Sequence, residues 1–218
     1  MTTNIARRRS LVVGAIIWLT LISAIVAAIL TYHHAQAEER RKWVVERKQW
    51  LTSGETDQLY FYCTDHTDEL LTEFAGMPEI TDVGFELTDL SDEGVKPLVS
   101  LPNLRKLMLY GGRPRVGDKG LATLSGCEKL ESLKLENIDV TDRGLRALRD
   151  MPSLKHLIIY RDTRQTTPLT DNAVSELREL QILETLAIGG GWMSKAAVTE
   201  LRKALPNCKL TVNGQEVP

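Results

Sequence analysis

One apolar pattern returns in phase along this chain and limits the possible folds more than any other feature. It reads apolar-x-x-apolar-x-apolar and appears first as Ile80, Val83 and Phe85. Leu104, Leu107 and Leu109 follow, then Leu130, Leu133 and Leu135, then Leu154, Leu157 and Ile159, then Leu183, Leu186 and Ile188. The copies start 24, 26, 24 and 29 residues apart. Leu59 and Phe61 keep the phase of a degenerate earlier copy, and Leu210 and Val212 belong to a shifted last one after Leu205-Pro206-Asn207-Cys208. Two apolar residues separated by one other read as a strand with one buried face. A fixed period in the range of about 20–50 residues reads as a stack of identical supersecondary units.

A second motif is coupled to the first. Ser91-Asp92-Glu93-Gly94-Val95 precedes Leu98, Gly117-Asp118-Lys119-Gly120-Leu121 precedes Leu124, and Thr141-Asp142-Arg143-Gly144-Leu145 precedes Leu148. Thr170-Asp171-Asn172-Ala173-Val174 and Ser194-Lys195-Ala196-Ala197-Val198 repeat it, ahead of Leu177 and Leu201, and Thr67-Asp68 with Leu71 and Phe74 opens the series. Ser or Thr is the residue type that caps a helix start. The Asp after it is expected to answer the helix dipole. Gly or Ala admits close approach, and apolar residues three apart face a core. Each unit therefore predicts one strand and one helix.

These residues resemble the leucine-rich-repeat family, in the subtype with repeats of about 24–26 residues reading T-D-x-G-L-x-x-L-x-x-L-P-x-L-x-x-L-x-L. The resemblance covers roughly residues 56–213. It implies an α/β fold: a curved right-handed leucine-rich-repeat solenoid with a parallel sheet on its concave face and helices on its convex face. It also implies that the concave face binds a protein partner. About six units would occupy 56–207, with a C-terminal cap over 208–218.

Ahead of the repeats, Leu11 to Leu30 carries no charged side chain. At ~1.5 Å per residue such a helix is roughly 30 Å long and matches the hydrocarbon core of a bilayer. The run predicts a basic tail over 1–10 and a transmembrane helix over 11–31, with Tyr32 at the interface. A cleaved signal peptide is the alternative, with Ala35-Gln36-Ala37 as its cleavage site, but its apolar region would be only ~7–15 residues long. Arg7, Arg8 and Arg9 lie on one side and Arg40, Arg41, Lys42, Arg47 and Lys48 on the other, so the basic count does not fix orientation. The Arg triplet abuts the apolar run, which favours a cytoplasmic N-terminus and an exported C-terminal domain. Residues 32–55 read as a juxtamembrane helix that caps the first repeat or extends the membrane helix, with Trp43 and Trp50 two turns apart.

Several chemistries find no support. The formal net charge of −2 and the lack of a long basic stripe argue against nucleic acid as a partner. Cys63, Cys127 and Cys208 lie two or more repeats apart, roughly 10 Å or more at the strand spacing, which is beyond disulfide reach. They have no metal-ligand spacing either. Gly112-Arg-Pro-Arg-Val-Gly117 begins like a phosphate loop but continues Asp118-Lys119, and reads as a repeat insertion. Ser132 and His156 fall on adjacent strands, but Asp82 lies on the wrong side of Ser132 to orient the histidine. No enzyme, cofactor, metal or small-molecule substrate is expected.

Aromatics make up only 6% of the chain, so their positions carry information. The residues between the core leucines form two rows on the solvent face of the predicted sheet. One is Tyr60, Gly84, Met108, Lys134, Ile158 and Ala187; the other is Tyr62, Glu86, Tyr110, Glu136, Tyr160 and Gly189. Longer units add Arg113, Arg115, Arg161 and Arg164 just after this row, and the last adds Trp192. Tyr, Arg and Trp dominate binding hot spots. The candidate partner-binding set is therefore Tyr62, Tyr110, Arg113, Arg115, Tyr160, Arg161, Arg164 and Trp192, expected exposed on one surface. The alternative reading is a scaffold or membrane assembly factor acting through its anchor and juxtamembrane segment.

Overall fold

The computed structural model describes residues 2–111, 116–162 and 169–218, with side chains from Trp18 onward. The chain divides into two compact units, Met1–Glu46 and Arg47–Pro218. The first is formed by the long helix α1 (Thr2–Ser53), whose last turns belong to the second. Within the first unit, Trp18, Ile22, Ile25 and Leu30 are all exposed. Among the described residues no helix is long and apolar enough to cross a membrane. The expected span over 11–31 begins at residues whose side chains lie outside that description.

The second unit is α/β. Its sheet has eight strands in sequence order: β1 (Gln58–Tyr62), β2 (Asp82–Glu86), β3 (Lys106–Tyr110), β4 (Ser132–Glu136), β5 (His156–Tyr160), β6 (Thr185–Gly189), β7 (Lys209–Val212) and β8 (Gln215–Glu216). β1 to β7 pair in parallel and β8 turns back antiparallel on β7. The register places every expected apolar pair side by side: Leu59, Val83, Leu107, Leu133, Leu157, Leu186 and Leu210 form one continuous row. All of them are buried.

Short helices return the chain between strands: α2 (Thr67–Thr72), α3 (Lys96–Val99), α4 (Asp118–Leu124), α5 (Val174–Leu177) and α6 (Lys195–Ala204). The segment Gly144–Asp150 is wound as a 3-10 helix, as is Asp171–Ala173. The expected helix per unit is thus a turn or two. The helix α6, between β6 and β7, is longer, with ten residues. Leu98, Leu121, Leu124, Leu145, Leu148 and Leu177 point from these turns into the core.

All three phenylalanines gather at the first end of the sheet. Phe61 stacks on Phe85 with centroids 5.0 Å apart and meets Phe74 edge-on at 6.4 Å. The last turn of α1 buries Leu51 and sets Lys48 over the Phe74 ring, 3.1 Å from Glu73 Oε2. Trp50, expected to take part in capping, is 42% exposed, while its neighbour Leu51 is the residue that packs.

A line of aspartates joins successive units. Ser91 donates its amide (2.9 Å) and its hydroxyl (2.5 Å) to Asp68 of the preceding unit. Thr141 does the same to Asp118 at 2.7 and 2.8 Å, and Thr170 to Asp142 at 2.8 and 2.5 Å. The Ser194 amide donates to Asp171 at 2.8 Å. Where Gly117 replaces the hydroxyl residue, Asp92 accepts two amides instead, from Gly117 (2.7 Å) and Gly120 (3.0 Å).

This adds to the dipole role expected of these aspartates, of which Asp68, Asp118 and Asp171 do lie in the first turn of their own helical segments. Each Ser or Thr oxygen already accepts an amide of its own turn, such as Gly94 at 3.1 Å and Gly144 at 3.2 Å. Its hydroxyl proton is then left to donate, and the carboxylate one unit back is the acceptor within reach. The glycines follow from this contact: a Cβ on Gly94 would lie 1.7 Å from Asp68 Oδ1, and one on Gly144 would lie 2.0 Å from Asp118 Oδ1.

Candidate binding face

The parallel register sets one face of β1–β6 toward solvent while the leucine row takes the other. Tyr60, Tyr62, Ile158 and Tyr160 are exposed, and Glu86, Met108, Tyr110, Lys134 and Glu136 half-exposed. Two glycines make room for the rings. A Cβ on Gly84 would sit 2.3 Å from the Tyr60 ring, and one on Gly189 would sit 2.6 Å from the Tyr160 ring. Gly84 is the register partner of Tyr60, and Gly189 that of Tyr160. Each ring therefore lies over the bare backbone of the next strand, and each tyrosine is 43% exposed. Glycines at these register positions are the sequence signal by which Tyr60, missing from the expected set, is found.

The tyrosines are surrounded by carboxylates at the first end. Tyr60 donates its hydroxyl to Asp82 Oδ1 at 3.1 Å. Burial, then the Asp82 and Asp57 carboxylates, push its phenol above the ordinary tyrosine pKa. Tyr62 is also raised, by the adjoining Cys63 thiol and then by Glu86. Both phenols stay protonated at neutral pH, and the Tyr60 hydrogen goes to Asp82. Further along, Lys134 pairs with Glu136 at 2.8 Å.

The strand ends decide where the next side chains go. Cys63, Leu87, Gly111, Asn137, Gly190 and Asn213 follow their strands with positive φ, which turns the chain sharply out of the sheet. Arg161 is the exception and corrects the expectation placed on it. It is 3% exposed, and its Nη1 donates inward to the Ile138 carbonyl and, at 3.3 Å, to the Val140 carbonyl of the preceding unit. These loop carbonyls receive a buried cation, so Arg161 is not part of the exposed surface. Trp192 is only half-exposed, with its indole nitrogen buried. Arg113, Arg115 and Arg164 lie outside the described residues. Of the expected set, Tyr62, Tyr110 and Tyr160 are thus brought onto one face, and Arg161 is removed from it.

The other sequence motifs resolve locally. The His156 ring nitrogen Nδ1 lies 2.9 Å from Thr185 Oγ1 on β6, the side away from Ser132 on β4. The amides of Gly117 and Gly120, at the end of the phosphate-loop-like stretch, are already given to Asp92. Among the described residues no group of three or more His, Cys, Asp or Glu is arranged to hold a metal. Cys127 and Cys208 are buried, and burial pushes the Cys127 thiol up to about 11.

A scan against protein-family models finds no match for this chain, and neither does a search of curated proteins.

Proposed function

We propose that this chain is a leucine-rich-repeat solenoid, anchored to a membrane through residues 11–31 and exported on its C-terminal side, whose open sheet face binds another protein. One observation carries the reading: exposed tyrosines recur on the solvent side of a sheet whose opposite side is an unbroken leucine core. Tyr62 is 65% exposed and Tyr160 43%. Large rigid aromatics held open to solvent are what a partner's hot spot uses. In this reading the protein is a binding module and not an enzyme, and it requires neither cofactor nor nucleic acid.

The test places a photo-crosslinking amino acid at residues 62 and 158 on the sheet face, and at 146 and 182 away from it, in the full chain in its native membrane. Crosslinks to one protein from 62 and 158 are expected. Crosslinks confined to 146 and 182 would move the binding site to the helical side. Protease added to intact cells is expected to digest the C-terminal domain; protection of that domain would reverse the orientation.

The exposed apolar side chains of α1 favour a second reading, a scaffold acting through its anchor. Exchanging residues 11–31 for an unrelated apolar span separates the two. Retained crosslinking from residue 62 supports the sheet, and loss of it supports the anchor.

A further inference from the structure

The charges on the open face are unevenly matched. On the β4 part, Glu136 has its own cation in Lys134. On the β1–β3 part, Asp82 and Glu86 have no ion-pair partner among the described residues. Lys106 is the register neighbour of Asp82 and is exposed, yet does not close a pair with it. Asp57, at the start of β1, adds a third carboxylate and is held by the Thr81 hydroxyl at 2.5 Å.

Glu86 stands between two aromatic rings. The register runs Tyr62, Glu86, Tyr110 straight across β1, β2 and β3. With strands ~4.8 Å apart, the two tyrosines are roughly 10 Å from each other with the carboxylate midway. Leu87 and Met108 add apolar surface, the first 48% exposed and the second half-exposed.

A planar cation is complementary to this arrangement. A guanidinium stacks on a phenol face, forms paired hydrogen bonds to a carboxylate and gives up water more readily than an ammonium. Its aliphatic stem would lie along Leu87 and Met108. Phosphate-bearing ligands and anionic lipid surfaces are repelled by the same carboxylates.

We propose that the β1–β3 part of the open face takes an arginine-bearing segment of the partner protein, with a guanidinium seated on Glu86 between Tyr62 and Tyr110. This rests on the partner-binding reading of the same face and specifies the partner's chemistry.

The test uses the full chain in a neutral detergent. Fluorescent Gly-Ser peptides carrying two arginines, two lysines or two glutamines are titrated and followed by anisotropy. The arginine peptide is expected to bind about tenfold more tightly than the glutamine peptide, with the lysine peptide between and the advantage shrinking in high salt. Glu86→Gln and Tyr62→Leu are each expected to remove most of that advantage. Glu179→Gln, in the turn after α5, should leave it intact. Thermal melts of each variant establish that the fold is retained.

Equal binding of the arginine and glutamine peptides, or an undiminished advantage in both folded variants, would overturn the proposal. Crosslinking from residues 62 and 158 in native membranes then distinguishes the two failures. A protein crosslink from these positions alongside equal peptide binding rejects the arginine and keeps the binding face. Absence of crosslinks from both rejects the face itself.

Discussion

The two ends of the sheet solve the same packing problem with different chemistry. At the first end, rings fill the core: Phe61, Phe74 and Phe85 form one aromatic group under β1 and β2. Its open face carries Tyr60, Tyr62 and carboxylates that form no ion pair among the described residues. Around β4 to β6 the core is aliphatic, and polar groups are paired internally through Lys134 with Glu136, His156 with Thr185, and Arg161 with the loop carbonyls. Among the described residues, the middle units thus pair their own charges, while Asp82 and Glu86 in the first units form no ion pair.

The largest expected effect tests the core side of this contrast. Phe61→Ala should cost about 3–5 kcal/mol and Leu157→Ala about 2–5, read from chemical denaturation followed by circular dichroism. Phe61→Ala should cost more, because three rings lose their packing at once. Equal losses would mean that the aromatic group is not what distinguishes the first end.

Next comes the internal polar pairing. Arg161→Met keeps the stem but removes the donor from the Ile138 and Val140 carbonyls, and should cost about 1–3 kcal/mol. Lys134→Met, on the open face, should change stability by less than about 0.5 kcal/mol. A silent Arg161→Met would return that side chain to the surface set.

The aspartate line sharpens the comparison, because it runs through both ends. Asp118→Ala leaves the Thr141 amide and hydroxyl without their acceptor, at a cost of about 1.5–3 kcal/mol. Acid should act in the same direction on Asp171 of this line, and on Asp89, which lies outside it and accepts from the unit before its own. Burial would raise the Asp89 pKa, but hydrogen bonds from Thr67 and the His66 amide outweigh it and hold the carboxyl below its ordinary value. Hydrogen bonding from Ser194 lowers Asp171. A lowered folded pKa contributes stability that is present above the unfolded value of about 3.9 and is lost as pH falls through the folded one. Thermal melts from pH 6 downward should therefore drop in that window, and Asp89→Asn should flatten the drop.

The smallest effects concern the surface. Leu87 adopts φ +53 while 48% exposed, so Leu87→Gly should stabilise by up to about 1 kcal/mol. Tyr62→Ala should leave stability within about 0.5 kcal/mol while weakening partner binding. A large stability loss from Tyr62→Ala would make the first end's aromatics structural on both faces.

The strands were legible in the sequence because their signal is local. Leu107 and Leu109, or Leu133 and Leu135, need only their own spacing to declare a buried face, and the copies then align in register without further information. The open-face tyrosines followed from the same alternation. What the tertiary structure alone decided lies between units. Asp118 meets Thr141, and Asp142 meets Thr170, at separations of 23 and 28 residues. No helix propensity or capping rule refers to a neighbour that distant, so the aspartates read as servants of their own helices. Arg161 has the same origin. Its place after β5 matched exposed positions in other units, but the acceptors that drew it inward, Ile138 and Val140, belong to the unit before it.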